Sequence, residues 1–261
     1  MLTRRVIVCL DVKGSRVVKG VQFEGLRDVG DPVALSTRYE GEGADEITFL
    51  DISASADERA TLLDVARRTA DQLFIPLTIG GGVRTADDVA RALRAGADKV
   101  SLNSAAVARP EVLTEAAERF GAQCVVASID AKLDERGMWR VWIKGGREAT
   151  PLDAVAWAQE CVARGAGEIL LTSINQDGAR TGYDLALTRA VADAVPVPVI
   201  ASGGAGQASH LVDAIVDGHA DAVLVAGILH DGVTTVHELK AALAAAHVPV
   251  RSIAFPTGVL A

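Results

Sequence analysis

The sequence predicts an α/β fold, namely a closed (β/α)8 TIM barrel built from two fused half-barrel repeats. Eight short apolar runs alternate strictly with eight amphipathic runs, which implies parallel strands joined by right-handed crossovers. The length of 261 residues suits such a barrel, which takes about 250 residues. Similar motifs also recur at about half the chain length. We therefore expect one domain over residues 1–261, with half-barrels at roughly 1–122 and 123–250.

The elements are expected in regular order along the chain. Strands are predicted at residues 5–11, 46–51, 75–79, 98–102, 123–130, 167–172, 197–201 and 221–225. Helices are predicted near 32–42, 57–72, 85–95, 109–120, 151–164, 184–194, 206–217 and 233–246. Thr150 before Pro151 predicts a helix N-cap, and Thr85 with Asp88 predicts a capping box. The long connections 12–31 and 131–149 each contain a hairpin-like segment, expected on the barrel's functional rim.

The internal repeat relates the two halves of the chain. Gly43–Ile47 resembles Gly165–Ile169, and Gly80–Gly82 resembles Ser202–Gly204, each at an offset of 122 residues. A pseudo-twofold axis would therefore bring the end of the first strand opposite the end of the fifth.

Composition excludes several classes of protein. A formal net charge of −8 argues against non-specific nucleic-acid binding, which needs a basic surface. The three cysteines have no regular spacing, so we expect neither a disulfide framework nor a metal site. No cofactor motif is evident. The N-terminus shows no signal peptide, and no apolar run is long enough to span a membrane, so we expect a cytosolic protein.

Two aspartates are the candidate catalytic pair. The first strand ends at Asp11 and the fifth at Asp130, and the carboxyl ends of barrel strands converge on one rim. Two carboxylates around one cavity can act as acid and base, because mutual repulsion and partial burial raise the pKa of one above the other. The alternative is that each aspartate only caps the loop that follows it.

Two glycine-rich loops at symmetric positions predict two phosphate sites. Glycines let the backbone approach an anion, and the following helix offers free N–H groups. We therefore expect a long ligand with a phosphate at each end; the alternative is that both loops are only tight turns. The candidate binding residues are Lys19, Gly81, Gly82, Asn103, Asp177, Gly178, Ser202, Gly203, Gly204, Ala226 and Gly227.

The opposite rim carries four charges. Arg5, Glu46, Lys99 and Glu168 begin the first, second, fourth and sixth strands and could form a closed ring of alternating sign. Such a ring could be a salt-bridged plug that serves stability, or a gate over a passage through the barrel.

Taken together, these motifs resemble the cyclase subunit of imidazole glycerol phosphate synthase, from histidine biosynthesis. The resemblance covers nearly the whole chain. It rests on Cys9–Lys13, Val17–Val21, Leu50–Ser55, Gly80–Arg84, Asp98–Asn103, Gly145–Glu148 and Asp177–Gly178.

The resemblance implies a cyclase and lyase reaction. It converts the open-chain bisphosphate PRFAR and ammonia into imidazole glycerol phosphate and the aminoimidazole carboxamide ribotide AICAR. Ammonia would come from a glutaminase subunit docked on the barrel floor and would travel through the barrel. By position, Asp11 and Asp130 would be the catalytic pair, Lys19 and Asn103 would support substrate, the charged ring would be the gate, and Asp98 would lie at the glutaminase interface.

The chain departs from the family pattern at Val8, at Asn175–Gln176 and at Gly227, where a phosphate-binding serine is usual. Two rival functions remain. The sister ProFAR isomerase of the same pathway shares the repeat and the aspartate pair but needs no ammonia; Lys13, Lys19 and the charged ring favour the cyclase. A non-catalytic phosphate-binding scaffold would have no need for paired rim carboxylates.

Overall fold

The computed structural model describes residues 2–21, 24–52 and 56–252. Within them, eight parallel strands form a closed barrel, in which each strand pairs with its sequence neighbours and the last pairs with the first. The predicted (β/α)8 barrel is thereby confirmed. Its single-domain extent and its division near residue 122 stay predictions. Ser53–Ser55, which belong to one of the family-like motifs, lie outside the described residues.

The barrel strands and their helices follow the predicted order. The strands are β1 (Arg5–Lys13), β2 (Glu46–Asp51), β3 (Leu77–Gly80), β4 (Lys99–Leu102), β5 (Val125–Leu133), β6 (Glu168–Ser173), β7 (Val199–Ser202) and β8 (Ala222–Val225). The helices are α1 (Pro32–Gly41), α2 (Ala56–Ala70), α3 (Ala86–Arg94), α4 (Glu111–Phe120), α5 (Ala154–Ala163), α6 (Leu185–Ala192), α7 (Ala208–Val216) and α8 (Val236–Ala245). Short helices at Ser104–Ala108 and Gly227–His230 follow β4 and β8, and a 3-10 turn at Ala122–Cys124 precedes β5.

Strand β1 shows how the core is divided. Val6, Val8 and Leu10 point outward and belong to the large apolar layer between barrel and helices. Ile7 and Cys9 point inward and belong to a smaller cluster inside the barrel. Because side chains alternate along a strand, Arg5 and Asp11 share the inner face with Ile7 and Cys9. The inner face of β1 therefore carries a cation at the N-terminal ends of the strands, the barrel floor, and a carboxylate at their C-terminal ends, the upper rim.

Two hairpins stand on that upper rim. The first pairs Arg16–Val21 with Glu24–Gly30, and the second pairs Trp139–Ile143 with Glu148–Asp153. Both pair antiparallel with a barrel strand, so β1 continues to Lys13 and β5 to Leu133. The expectation that these strands end at Asp11 and Asp130 is wrong, because backbone pairing with the hairpins carries each strand past its carboxylate.

The second hairpin also corrects a predicted helix start. Thr150 and Pro151 lie in its outer strand, where the Thr150 hydroxyl donates to the Val141 carbonyl over 2.8 Å. Helix α5 begins only at Ala154, and the Asp153 carboxylate accepts hydrogen bonds from two backbone N–H groups of its first turn. Cross-strand pairing therefore outweighs the local Thr-Pro signal. The capping box of Thr85 and Asp88 is confirmed.

Among the helices that the structure describes, none is both long and apolar enough to cross a bilayer.

Candidate active site

Asp11 and Asp130 line the same mouth of the barrel from opposite walls. Asp11 follows Cys9 on the inner face of β1. Asp130 lies four residues after Val126, an inner residue of β5, and therefore on the same inner face. Asp11 is paired with Val18 of the first hairpin, and Asp130 with Trp142 of the second. Each carboxylate therefore sits under its own hairpin.

A third carboxylate, Asp177 in the loop after β6, couples to both. Burial, and next the charge of Asp177, raise the pKa of Asp11 to about 7. Burial also raises the pKa of Asp130 to about 6; the hydrogen bond from Asn103 opposes this rise, and the charge of Asp177 adds to it. The expected mutual repulsion of Asp11 and Asp130 is not among these causes, because the two lie across the barrel. Asp177 supplies the like charge instead.

Asn103, at the end of β4, holds one member of the pair. Its amide nitrogen donates to Oδ2 of Asp130 over 2.9 Å. A hydrogen bond to the charged form of a carboxylate lowers its pKa, so this contact favours ionised Asp130. The amide oxygen of Asn103 is buried and accepts no hydrogen bond from the residues that the structure describes.

The two predicted phosphate loops have matching backbones. Gly81 after β3 and Gly203 after β7 both have φ of +88°. A Cβ on Gly81 would lie 2.2 Å from the Asp51 carbonyl oxygen, and one on Gly204 would lie 2.0 Å from that of Gly182. Glycine is thus required by close backbone packing at both loops. Gly82 follows Gly81 in the first loop, and Ser202 precedes Gly203 in the second.

At the end of β8, the predicted residue Lys19 meets three charged side chains that sequence reasoning did not find, namely Arg27, Arg180 and Asp231. The Lys19 ammonium donates to the Gly227 carbonyl over 3.2 Å and also pairs with the Asp231 carboxylate. Arg27 and Arg180 pair with the same carboxylate. Lys19 and Arg27 come from the first hairpin and Arg180 from the loop after β6, so only the fold brings them together beside Ala226 and Gly227.

A half-buried histidine, His230, connects this region to β1. His230 Nε2 donates to the Cys9 carbonyl over 3.0 Å, since a carbonyl can only accept. Its Nδ1 then accepts from the Tyr39 hydroxyl over 2.7 Å. Burial lowers the pKa of His230 to about 4, which keeps the ring neutral. The histidine thereby ties the end of β8 to the strand that carries Asp11.

At the barrel floor, the four predicted charges form a closed ring. Arg5 pairs with Glu46 over 3.1 Å and with Glu168, and Lys99 pairs with each glutamate over 2.8 Å. Both glutamates are buried, and Thr78 donates to Glu46 over 2.5 Å. The ring lies directly beneath the apolar cluster of Ile7, Val126 and their neighbours inside the barrel.

The same floor carries an exposed apolar feature. Phe74, between α2 and β3, has 94% of its surface exposed. Beside it lies a cavity of about 310 Å³ lined by Leu73, Ile75, Pro76 and Asp98, among others. Asp98 accepts a hydrogen bond from the Leu77 backbone over 2.8 Å, which fixes its carboxylate at this edge.

Among the described residues, no group of three or more His, Cys, Asp or Glu side chains is placed to hold a metal ion. The upper rim brings together the half-buried carboxylates of Asp11 and Asp130, the exposed carboxylate of Asp177, the Asn103 amide and a set of cations.

Comparison with known proteins points to one family. The model of a family described as "Histidine biosynthesis protein" matches residues 5–235. The protein "Imidazole glycerol phosphate synthase subunit HisF" from Myxococcus xanthus (strain DK1622) is 74% identical over 253 residues, which cover 97% of this chain and 100% of that protein.

Proposed function

This chain belongs to the histidine biosynthesis protein family, and on that premise we propose that it is the cyclase subunit of imidazole glycerol phosphate synthase. It converts PRFAR and ammonia into imidazole glycerol phosphate and AICAR. The observation that carries this function is the near-full-length identity to the HisF relative. The isomerase and scaffold alternatives are not favoured.

The bisphosphate lies across the upper rim, with one phosphate at each glycine loop. The β3 loop with Gly81 and Gly82 holds one end, and the β7 loop with Gly203 and Gly204, together with Ala226 and Gly227 after β8, holds the other. The cations Lys19, Arg27 and Arg180 support this second location. Opposite charge next to exposed backbone N–H groups is the usual chemistry of phosphate recognition.

Asp11 and Asp130 divide the proton transfers. Asp130 accepts a hydrogen bond from Asn103 that favours its charged form, so it is suited to be the base that assists ring closure and C–N cleavage. Asp11 is shifted only by burial and by the charge of Asp177, both of which favour its protonated form. It is therefore suited to be the acid that protonates the ketone oxygen lost as ammonia adds.

The charged ring at the floor acts as the gate for ammonia. Arg5, Glu46, Lys99 and Glu168 close the lower mouth, and the apolar interior above them leads to Asp11. An apolar passage suits neutral ammonia, because an ammonium ion would lose its hydration there.

A glutaminase subunit is the partner that supplies ammonia. It docks on the floor, where Asp98 and the exposed Phe74 flank the cavity beside β3. Exposed aromatic side chains such as that of Phe74 are enriched at protein interfaces. The chain works in the cytoplasm with its partner.

A direct assay tests the function. The purified chain should consume PRFAR with ammonium salt at raised pH, where free ammonia is abundant, and should form imidazole glycerol phosphate and AICAR. Glutamine should serve only when the glutaminase subunit is added. Isomerisation of ProFAR without ammonia, and no turnover of PRFAR, would establish the isomerase instead.

A further inference from the structure

Asp231 is a carboxylate with no role in the proposed reaction, yet it pairs, in one cluster, with the cations at the second phosphate location. The Asp231 carboxylate pairs with Lys19, Arg27 and Arg180, so three cations surround one carboxylate and leave a surplus of two positive charges. The Asp231 side chain is 22% exposed, and the cluster opens to solvent through the two arginines. The hydrogen bond and charge of Lys19, followed by those of Arg180, lower the pKa of Asp231 to about 2 against the opposing effect of burial, so the carboxylate is charged near neutral pH.

The cluster lies directly over the proposed phosphate position. Lys19 Nζ is 3.2 Å from the Gly227 carbonyl oxygen, and a Cβ on Gly227 would lie 3.2 Å from that Nζ and 3.6 Å from Arg180. The cations thus crowd the side of Gly227 that faces the site. A phosphate monoester seated beside Gly227 would meet the same three cations that now face Asp231.

We propose that Asp231 is an internal anion that occupies the cations of the β8 phosphate position in the free chain, and that one phosphate of the substrate displaces it. This inference rests on the proposed function, which supplies a bisphosphate substrate. A dianionic phosphate matches the surplus of two positive charges better than one carboxylate does, and its three oxygens can accept from all three side chains. Arg27 and Arg180 are then phosphate-binding residues.

The exchange also explains how the first hairpin stays over the site. Lys19 and Arg27 belong to its two strands, and both pair with the carboxylate of Asp231, which follows β8, the strand next to β1. Asp231 holds the hairpin down before substrate arrives, and the phosphate takes over that contact afterwards. Asp231 therefore keeps the hairpin ordered in the free chain and lowers the affinity for phosphate.

The variant Asp231→Asn tests the competition, with inorganic phosphate as the probe in calorimetric titrations of the full chain. We expect phosphate to bind about three- to tenfold more tightly to the variant, the size of one partly exposed charge interaction. Arg180→Gln should instead weaken binding at the same site. KM for PRFAR should fall in Asp231→Asn by a factor similar to that for phosphate.

Asp28→Asn is the matched control. Asp28 lies on the same hairpin and pairs with Arg16 over 2.8 Å, so this change removes an equal charge without touching the cluster. Phosphate affinity should stay within twofold of the wild type. An equal gain in both variants would show that only net charge matters, which would overturn the competition.

Hydrogen exchange of the hairpin supplies a second readout. In Asp231→Asn without phosphate, the hairpin strands Arg16–Val21 and Glu24–Gly30 should exchange faster than in the wild type, and saturating phosphate should restore the protection. A purely structural salt bridge predicts faster exchange that phosphate does not restore, and unchanged or weaker phosphate binding.

The two proposals can fail separately. Asp231-dependent phosphate binding without turnover of PRFAR would leave the inference standing and overturn the function. Ammonia-dependent turnover together with unchanged or weaker phosphate binding in Asp231→Asn would overturn the inference alone.

Discussion

The charge of Asp177 adds to the effect of burial on the pKa of both catalytic aspartates, and Asp177→Asn tests this contribution directly. Its charge raises the pKa of both Asp11 and Asp130, and its own pKa is raised by burial. The substitution keeps the size of the side chain and removes the charge. Both pKa values should therefore fall, because the ionised carboxylates no longer face a like charge.

The structure gives the size of the shift. The pKa of Asp11 rises from 3.8 to about 7, with burial the larger of two causes. Asp177 accounts for less than half of this rise, so its removal should lower the pKa of Asp11 by about one unit, or about 1.4 kcal/mol. The shift at Asp130 should be smaller, because burial and the Asn103 hydrogen bond both outweigh Asp177 there.

The assay is the pH dependence of kcat/KM for PRFAR, with total ammonium adjusted so that free ammonia stays constant. The profile of Asp177→Asn should move to lower pH by about one unit, whatever happens to its height. Carboxyl chemical shifts of labelled aspartate, followed by NMR, would assign the shift to each residue. A profile that stays in place, or moves to higher pH, refutes the coupling.

Three further predictions concern stability and substrate binding. Asp11→Asn should raise the free energy of unfolding by about 4 kcal/mol at pH 8 and by almost nothing at pH 4, because a carboxyl whose folded pKa lies above its unfolded value loses stability as the pH rises between them. Urea unfolding with equal gains at both pH values would contradict this. Lys99→Met leaves two buried glutamates facing one arginine, so urea unfolding should show a loss of about 3 kcal/mol, and an unchanged midpoint would argue against a tight ring. Gly81→Ala places a Cβ against the Asp51 backbone and should raise KM for PRFAR at least about tenfold. Gly137→Ala, at a similar positive φ with open space around it, should leave KM unchanged; equal effects of the two variants would mean that backbone strain alone raises KM.

The barrel could be predicted because its signals are local and repeated. Apolar runs such as Val6–Leu10 are buried on both faces, and amphipathic runs follow each of them. The charged ring was also predictable, since its four members all stand at the starts of strands. Barrel closure then brings strand starts together, whatever their distance along the chain.

Other features depend on contacts that no local pattern encodes. Asp231 meets Lys19 from 212 residues away and Arg180 from 51 away, so nothing in either segment marks the pairing. The start of helix α5 was also mispredicted. The local sequence at Thr150 indicates a helix cap, but the Thr150 hydroxyl donates to Val141 on the neighbouring strand. Asp177 was expected as a substrate contact, and only the fold shows that its charge, after burial, also raises the pKa of Asp11.

The most direct test of the central claim is ammonia-dependent turnover of PRFAR by Asp130→Asn. The variant keeps the side-chain size and should still accept the Asn103 hydrogen bond, so PRFAR should bind within a few fold of the wild type. Turnover should fall by at least about 100-fold, the contribution of a general acid–base group. Turnover near the wild-type rate would contradict the claim that Asp130 carries protons in this reaction.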